Sequence, residues 1–371
     1  MRASLLPGLV ALVFLNAACS SPPAAPSAQA TGASAPPHHR PGGFQNNHIN
    51  FQPRGLSEVL NWKWQALLEG VPKPPSAPIP QVAPDLAFVS ANANAGPAMQ
   101  PAVTWIGHAT TLVQLGGLNV LTDPIFSERA SPVQLVGPRR AQPPGLALAQ
   151  LPRIDVVVTS HNHYDHLDEG SVVALAAQRG GSPLFLVPLG HKAWFASLGV
   201  HRVQELDWWQ THRLGRVDFT LTPVQHWSGR GLNDRLQSLW GGWAMFAPDF
   251  SVYFAGDTGY SKDFAEIGQR LAAPRGGFDL ALIPVGAYEP RWFMTEQHVN
   301  PPEAVQMHRD LRARRSLGIH WGTFELTDEP LDEPPRALAR ARQAAGLAED
   351  DFFVLAVGET RRLQRRPAGN P

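Results

Sequence analysis

The sequence of 371 residues predicts an α/β fold built from short buried strands and intervening helices. Short runs that are almost continuous in apolar residues follow one another in quick succession, as strands buried on both faces do. Helical patterns separate some of these runs, and side chains that commonly bind metals stand at the ends of several of them. Because strand ends from two sheets can converge on one edge, we expect these side chains to form one shared site.

The composition is that of a globular protein with a large core. The formal net charge is +0 and 43% of the residues are hydrophobic, and the sequence pI is about 7.3. A nucleic-acid-binding protein usually carries a clustered basic surface, which this sequence does not indicate. We therefore exclude nucleic acid as a partner.

The N-terminal stretch MRASLLPGLVALVFLNAAC is typical of an export signal over residues 1–19. Its apolar run is too short to span a membrane permanently. LNAAC resembles a lipobox, so we expect lipid attachment at Cys19 and a lipoprotein of the bacterial cell envelope, facing the periplasm or the exterior. Plain secretion is the alternative. Cys19 is the only cysteine, so the mature protein has no internal disulfide and no thiolate metal ligand.

Composition also divides the remaining chain. Residues 20–50 are rich in Pro, Ala, Ser and Gly, so we predict a disordered tether in which His38 and His39 are solvated linker residues rather than ligands. Residues 51–360 are predicted to form the folded domain, and 361–371 a tail. Neither the leaflet nor the oligomeric state follows from the sequence, and a homodimer is one assembly that it allows.

The first helix is predicted in GLSEVLNWKWQALLEG, with Ser57 as its cap and Gly70 as its stop. Its apolar residues recur at helical spacing, which favours a helix packed on the core. The alternative is that Trp62 and Trp64 touch a membrane surface, since tryptophan suits the interface.

The strands begin with a hairpin, in which AVTWIG and TTLVQL precede a Gly116-Gly117 turn and LNVLTD. Further strands are predicted in IDVVVTS, DFTLTPVQH, SVYFAGD, FDLALIPVG and RRSLGIH. Helices are predicted over residues 169–178, 301–314 and 335–345.

Seven potential metal ligands follow these strands. Imidazole and carboxylate are common ligands of zinc, and crowding them destabilises a loop unless a cation lies among them. Seven ligands are too many for one zinc ion but suit two. We expect the first ion on His161, His163 and His226, the second on Asp165, His166 and His320, and Asp257 as the bridge. The alternative is a polar loop that happens to be rich in histidine.

The HxHxDH pattern in SHNHYDHLD, with the later His, Asp and His, resembles the metallo-beta-lactamase superfamily of four-layer αββα hydrolases. The phrases GHATTLV, TDPIFSERASP, PVQHW, FAGDTGYSKDF, PVGAYEPRWFM and IHWGTF resemble the N-acylphosphatidylethanolamine-hydrolysing phospholipase D family over residues 101–324. The resemblance implies that fold, two zinc ions and phosphodiesterase chemistry on a phospholipid substrate at a membrane. The export signal and tether depart from the membrane enzymes of the family, which puts the physiological lipid in doubt.

The chemistry expected of such a site is hydrolysis by a shared hydroxide. Two dications about 4 Å apart lower the pKa of a bridging water, and the hydroxide attacks phosphorus in line. The departing alkoxide is stabilised by a metal or protonated by Asp165 or Asp257, so that the products are phosphatidic acid and N-acylethanolamine. Hydrolysis of a small soluble ester or lactone is the second hypothesis, since lactonases share the ligands. A metal-binding protein without turnover is the third.

Five further side chains are candidates for supporting roles. Asp123, at the end of a strand, is expected to hold a ligand histidine through its second ring nitrogen or to cap the following turn, and His108 in GHAT to serve likewise. The resemblance favours Tyr164, Gln297 and His298 as substrate-binding residues over ordinary packing roles.

Overall fold

Two seven-stranded mixed β-sheets pack face to face with helices outside them in the computed structural model, which describes residues 35–366. A short hairpin precedes them. The predicted α/β fold with four αββα layers is confirmed. The predicted export signal with its lipid attachment at Cys19, the predicted tether up to residue 34 and the predicted tail from residue 367 lie outside the described residues.

The first sheet has the strand order β16-β3-β4-β5-β6-β7-β8. Its strands are β3 (Ala102–Gly107), β4 (Thr110–Leu115), β5 (Leu118–Thr122), β6 (Val156–Val158), β7 (Leu184–Pro188), β8 (Val203–Leu206) and β16 (Thr360–Arg362). The second sheet has the order β15-β14-β13-β12-β11-β10-β9. Its strands are β9 (Thr211–Leu214), β10 (Val217–Thr222), β11 (Gly242–Phe246), β12 (Ser251–Phe254), β13 (Leu280–Pro284), β14 (Ser316–Ile319) and β15 (Phe352–Phe353).

Eight α-helices accompany the sheets within the described residues. They are α1 (Leu56–Glu69), α2 (Leu86–Ala93), α3 (Glu169–Ala176), α4 (Lys192–Ser197), α5 (Asp263–Ile267), α6 (Arg291–Met294), α7 (Pro301–Asp310) and α8 (Glu333–Ala344). The three helices predicted after the first one correspond to α3, α7 and α8. Helix α7 ends before the predicted residue 314, and Arg312 adopts a positive φ of 53° just beyond it.

Strand β6 shows why the central strands are apolar without alternation. Val156 and Val158 belong to the core between the two sheets, whereas Val157 belongs to the core beneath the outer helices. Successive side chains of a strand point to opposite faces, so a strand covered on both sides needs apolar residues throughout.

The folded part of the chain is longer at both ends than predicted. Strands β1 (His39–Arg40) and β2 (Gly43–Phe44) form an antiparallel hairpin within the predicted tether. His38 and His39 are not solvated linker residues, because their Nε2 atoms lie 2.6 and 2.7 Å from the carboxylate of Asp207. At the other end, Arg366 pairs with Asp279 at 2.7 Å, so the predicted tail is packed at least this far.

Helix α1 is formed as predicted but presents the opposite face to the core. Its buried residues are Trp62 and Ala66, and the helix begins after Gly55 rather than Ser57. Gly70 ends it in the left-handed conformation, with φ of 63°. The exposed apolar side chains lie on one face at a spacing of three to four residues: Leu56, Leu60, Trp64, Leu67 and Leu68. Within residues 35–366, no helix is long and apolar enough to cross a membrane.

Candidate metal centre

The topology brings the predicted ligands to one edge of the two sheets. Strands β5 and β6 are parallel, so Asp123 and the loop over residues 160–168 follow their strands at the same edge. In the other sheet β12, β13 and β14 are parallel, and β10 is antiparallel to β11, which is antiparallel to β12. Therefore His226, Asp257 and His320 also leave their strands in one direction.

Three histidines form the first cluster. His161 Nε2 lies 2.8 Å from His163 Nδ1, and His226 Nε2 lies 3.3 Å from the same atom. Burial lowers the pKa of His161 well below its usual range, that of His163 to about 4 and that of His226 to about 3. At neutral pH these rings are neutral and can act as ligands.

The outer hydrogen bonds of this cluster direct lone pairs inward. His226 Nδ1 donates to the main-chain oxygen of Gln297 at 3.0 Å, which leaves its Nε2 with a lone pair. Ser160 Oγ donates to Asp123 and accepts from His161 Nδ1 at 2.8 Å, so His161 Nε2 also carries a lone pair and no hydrogen. The one hydrogen that His163 Nδ1 can carry cannot satisfy the lone pairs of His161 Nε2 and His226 Nε2 together. A divalent cation among these three nitrogens can.

The second cluster joins two histidines with two carboxylates. Asp257 Oδ2 and Oδ1 lie 3.0 Å from His166 Nε2 and 3.1 Å from His320 Nε2. Asp165 Oδ2 is 3.2 Å from His166 Nε2, and the two histidine Nε2 atoms are 3.2 Å apart. The structure thus brings the second predicted set together with Asp257, whose carboxylate contacts two of its histidines.

The two carboxylates of the second cluster give it a negative charge that favours a cation. Burial lowers the pKa of His320, but Asp257 and Asp165 outweigh that effect and raise the pKa to about 9. The same carboxylates overcome burial at His166 and raise its pKa well above the usual range. Protons on His166 and His320 therefore balance the negative charge of the two buried carboxylates when no metal is bound. A divalent ion can replace those protons, so the residues fit the metal that the motif implies.

Asp123 bonds to the loop that carries the first four predicted ligands, through Ser160 and His166. Its Oδ2 lies 2.6 Å from His166 Nδ1, and its Oδ1 accepts from the main-chain nitrogen of Ser160 at 2.7 Å. A carboxylate in this position fixes the ring orientation and tautomer of a ligand histidine. His108 contacts a different ligand, because its Nε2 lies 2.9 Å from Asp165 Oδ2.

Backbone strain is concentrated at the same edge. His108 and His320 adopt positive φ values of 56° and 61°, a region that residues other than glycine rarely occupy. The main-chain nitrogen of His320 donates to the oxygen of His108 at 3.0 Å, so the two strained residues hold each other. Such strain persists only where the surrounding structure imposes it, and it often marks a functional site.

A cavity of about 240 Å³ opens onto both clusters. Gln297 and His298 line it as predicted, together with the ligands His163, Asp165 and Asp257. The sequence did not identify its apolar lining, which comprises Trp62, Trp227, Ala287, Met294 and Leu326. Tyr164 lines a separate cavity of about 600 Å³, where its ring lies 4.1 Å from the Arg230 guanidinium carbon.

Comparison with known proteins identifies the chain's family. The model of the beta-lactamase superfamily domain matches residues 118–321. An uncharacterised protein of Mycobacterium tuberculosis is 40% identical over 94% of this chain and 91% of its own. The N-acyl-phosphatidylethanolamine-hydrolyzing phospholipase D 1 of Caenorhabditis elegans is 43% identical over 68% of this chain and 72% of its own.

Solved structures agree on the fold. A metallo hydrolase from the archaeon Ignicoccus hospitalis superposes with a TM-score of 0.53 at 21% identity, covering 71% of this chain and 99% of the other. An isothiocyanate hydrolase from Delia radicum gut bacteria gives a TM-score of 0.55 at 20% identity, with the same coverage of both chains. The chain therefore belongs to the beta-lactamase superfamily and is a metal-dependent hydrolase related to the N-acyl-phosphatidylethanolamine-hydrolyzing phospholipases D.

Proposed function

We propose that the protein is a phospholipase D that uses two zinc ions to hydrolyse N-acylphosphatidylethanolamine-like phospholipids. Water supplies the oxygen that becomes bonded to phosphorus, and the bond between phosphorus and the ethanolamine oxygen breaks. Phosphatidic acid and N-acylethanolamine leave as products. The relative that is 43% identical carries this activity in its name, which supports the proposal.

The residues of the two clusters suit this reaction. Two zinc ions held there would bind a phosphodiester oxygen and make hydroxide available near neutral pH. Asp257 lines the cavity, and its carboxylate lies 3.0 and 3.1 Å from the ring nitrogens of His166 and His320. From this position Asp257, or Asp165 beside it, would take up the proton released by that water and return it to the departing ethanolamine oxygen. No covalent bond between enzyme and substrate is required.

The apolar residues of helix α1 favour an amphiphilic substrate. Trp62 lines the cavity from helix α1, and its ring packs on Phe293 with centroids 4.8 Å apart. The opposite face of the same helix exposes Leu60 and Trp64, which are 60% and 61% exposed. Trp292, which precedes Phe293 in helix α6, is 45% exposed. An exposed apolar face on a helix that also lines a polar reaction centre suits a lipid surface better than a small soluble substrate.

A substrate comparison tests this function. Purified enzyme should release phosphatidic acid and N-acylethanolamine from vesicles, identified by mass, and should prefer the N-acylated lipid over unacylated phosphatidylethanolamine. In the double variant Leu60→Ser/Trp64→Ser we expect about 30-fold lower turnover on vesicles, because about 2 kcal/mol of apolar burial is lost. Turnover of a soluble phosphodiester should not change in this variant.

Asn61→Ser/Gln65→Ser is the matched control, because it alters the same helix at exposed polar positions. This control should retain activity on vesicles. A sugar-phosphate lactone and a beta-lactam complete the panel. Rapid turnover of either one with inert lipid would replace the proposal with hydrolysis of a small soluble substrate.

We also propose that a lipid anchor at Cys19 keeps the enzyme in a bacterial cell envelope. A single acyl chain binds a bilayer only weakly, so the multiply acylated bacterial anchor is the form expected. The full-length protein should enter the detergent phase on phase separation, and Cys19→Ser should shift it to the aqueous phase. Unchanged partitioning of the variant would favour secretion or adhesion through the exposed apolar face of α1, which includes Leu60 and Trp64.

A further inference from the structure

We infer that Asn46 is a positioning residue for the metal ligand His226, and that the segment over residues 37–51 braces the metal centre. The Asn46 side chain bonds to both main-chain polar groups of His226. Its Nδ2 donates to the His226 oxygen at 2.9 Å, and its Oδ1 accepts from the His226 nitrogen at 3.1 Å. This pairing reproduces the hydrogen bonds of a neighbouring strand where His226 has none, since β10 ends at Thr222.

Asn46 is itself held rigidly. It is 7% exposed, and its Oδ1 also accepts from Trp240 Nε1 at 3.2 Å. Two residues earlier, the Phe44 nitrogen donates to the Leu236 oxygen at 2.8 Å. A buried amide with fixed partners can determine where the main chain of His226 lies.

The segment is anchored on both sides of Asn46. Upstream, His38 and His39 each contact one oxygen of the Asp207 carboxylate. Downstream, Phe51 is buried, and its ring lies 6.4 Å from that of Trp227, the residue after the ligand. Asn46 and its upstream anchors lie in the stretch that composition alone marks as a tether, so a segment that looks disordered in the sequence contributes to the site.

His226 is then fixed through two independent contacts. Asn46 holds its main chain, and the Gln297 oxygen accepts from its Nδ1 at 3.0 Å. Without Asn46 the ring remains bonded to Gln297, but the buried nitrogen and oxygen of His226 lose their partner. The cluster of His161, His163 and His226 should then bind its metal more weakly, while the cluster around Asp257 keeps its ligands.

Asn92 provides a matched control within the same chain. It is 6% exposed, and its side chain makes the same pair of bonds to the main chain of Gln100, both at 2.8 Å. Gln100 is not a ligand and precedes strand β3, at the edge opposite to Asp123. Replacing Asn92 therefore removes equivalent hydrogen bonds without touching the metal centre.

The test is competition for zinc between a chelator and the wild type, Asn46→Ala or Asn92→Ala. Asn46→Ala should lose about one of its two ions at a chelator concentration about 10- to 100-fold lower than the wild type. The visible spectrum of the cobalt-substituted variant should change as well. Asn92→Ala should match the wild type in both measurements, even if its melting temperature falls.

Equal chelator resistance of Asn46→Ala and the wild type would overturn the inference. Equal weakening in both variants would also overturn it, because general destabilisation would then explain the loss. Asn46→Ser, which retains a short polar side chain, serves if the alanine variant does not fold. These readouts do not involve a substrate, so they remain interpretable whether or not the proposed lipid activity is found.

Discussion

Asp257→Ala should lose metal from both clusters and lower kcat/KM by about 1000-fold. The carboxylate lies within 3.1 Å of ligand nitrogens from both sheets, and it provides much of the negative charge that attracts a cation. Metal ions stabilise the charge of such transition states by several kcal/mol, and each 1.4 kcal/mol corresponds to about tenfold in rate. Elemental analysis of the purified protein should approach two equivalents in the wild type and fall well below that in the variant.

Asp279→Ala is the control for this experiment. Asp279 is also a buried acid, 6% exposed, and it accepts from the Ser251 nitrogen at 2.8 Å rather than contacting a ligand of the metal. This variant should keep its metal and most of its activity. A wild-type enzyme that is fully active with one tightly bound ion would refute the two-metal scheme.

Asp123→Ala should both destabilise the fold and weaken metal binding. The substitution leaves the Ser160 nitrogen and His166 Nδ1 buried without their acceptor. The loss of a buried acceptor with these two partners costs about 3 kcal/mol of unfolding free energy. Loss of a carboxylate behind a ligand histidine lowers metal affinity by about 10- to 100-fold. Chemical denaturation and chelator competition measure the two effects separately.

Asp279→Ala separates these two effects. Its carboxylate accepts from the Ser251 nitrogen at 2.8 Å and from Arg366, at the amino end of β12 and therefore at the edge away from Asp257. This variant should lose comparable stability but retain the metal affinity of the wild type. If both variants lose metal affinity equally, Asp123 has no specific role in orienting His166.

The sheets were predictable because their strands are short, apolar and separated by clear turns. AVTWIG and TTLVQL became β3 and β4 with the predicted boundaries, and LNVLTD became β5, which ends one residue earlier than predicted, at Thr122. Helix α1 shows the limit of pattern reading. Its periodic apolar face predicts core packing, yet Leu60 and Trp64 are exposed and Trp62 is buried. Periodicity shows that a helix has an apolar face but does not say what that face contacts.

The clustering of the seven predicted ligands was predictable because the ends of several strands from two sheets converge on one edge. The supporting residues were harder to find. Asn46 lies in a stretch poor in aliphatic side chains, and its partner His226 is 180 residues away. Its role depends on hydrogen bonds to main-chain atoms, which leave no motif in a single sequence. Tyr164, placed beside the ligands by the motif, points to a different cavity.

The ligands come from loops of both sheets, so a bound metal pair would also act as a cross-link. Coordination through His161 and His226 would tie the edge of one sheet to the edge of the other, closing a loop of 65 residues between them. A ligand that binds only the native state stabilises it in proportion to its free concentration and affinity. The cohesion of the fold would therefore depend on metal supply, and the melting temperature would report the free metal concentration around the protein.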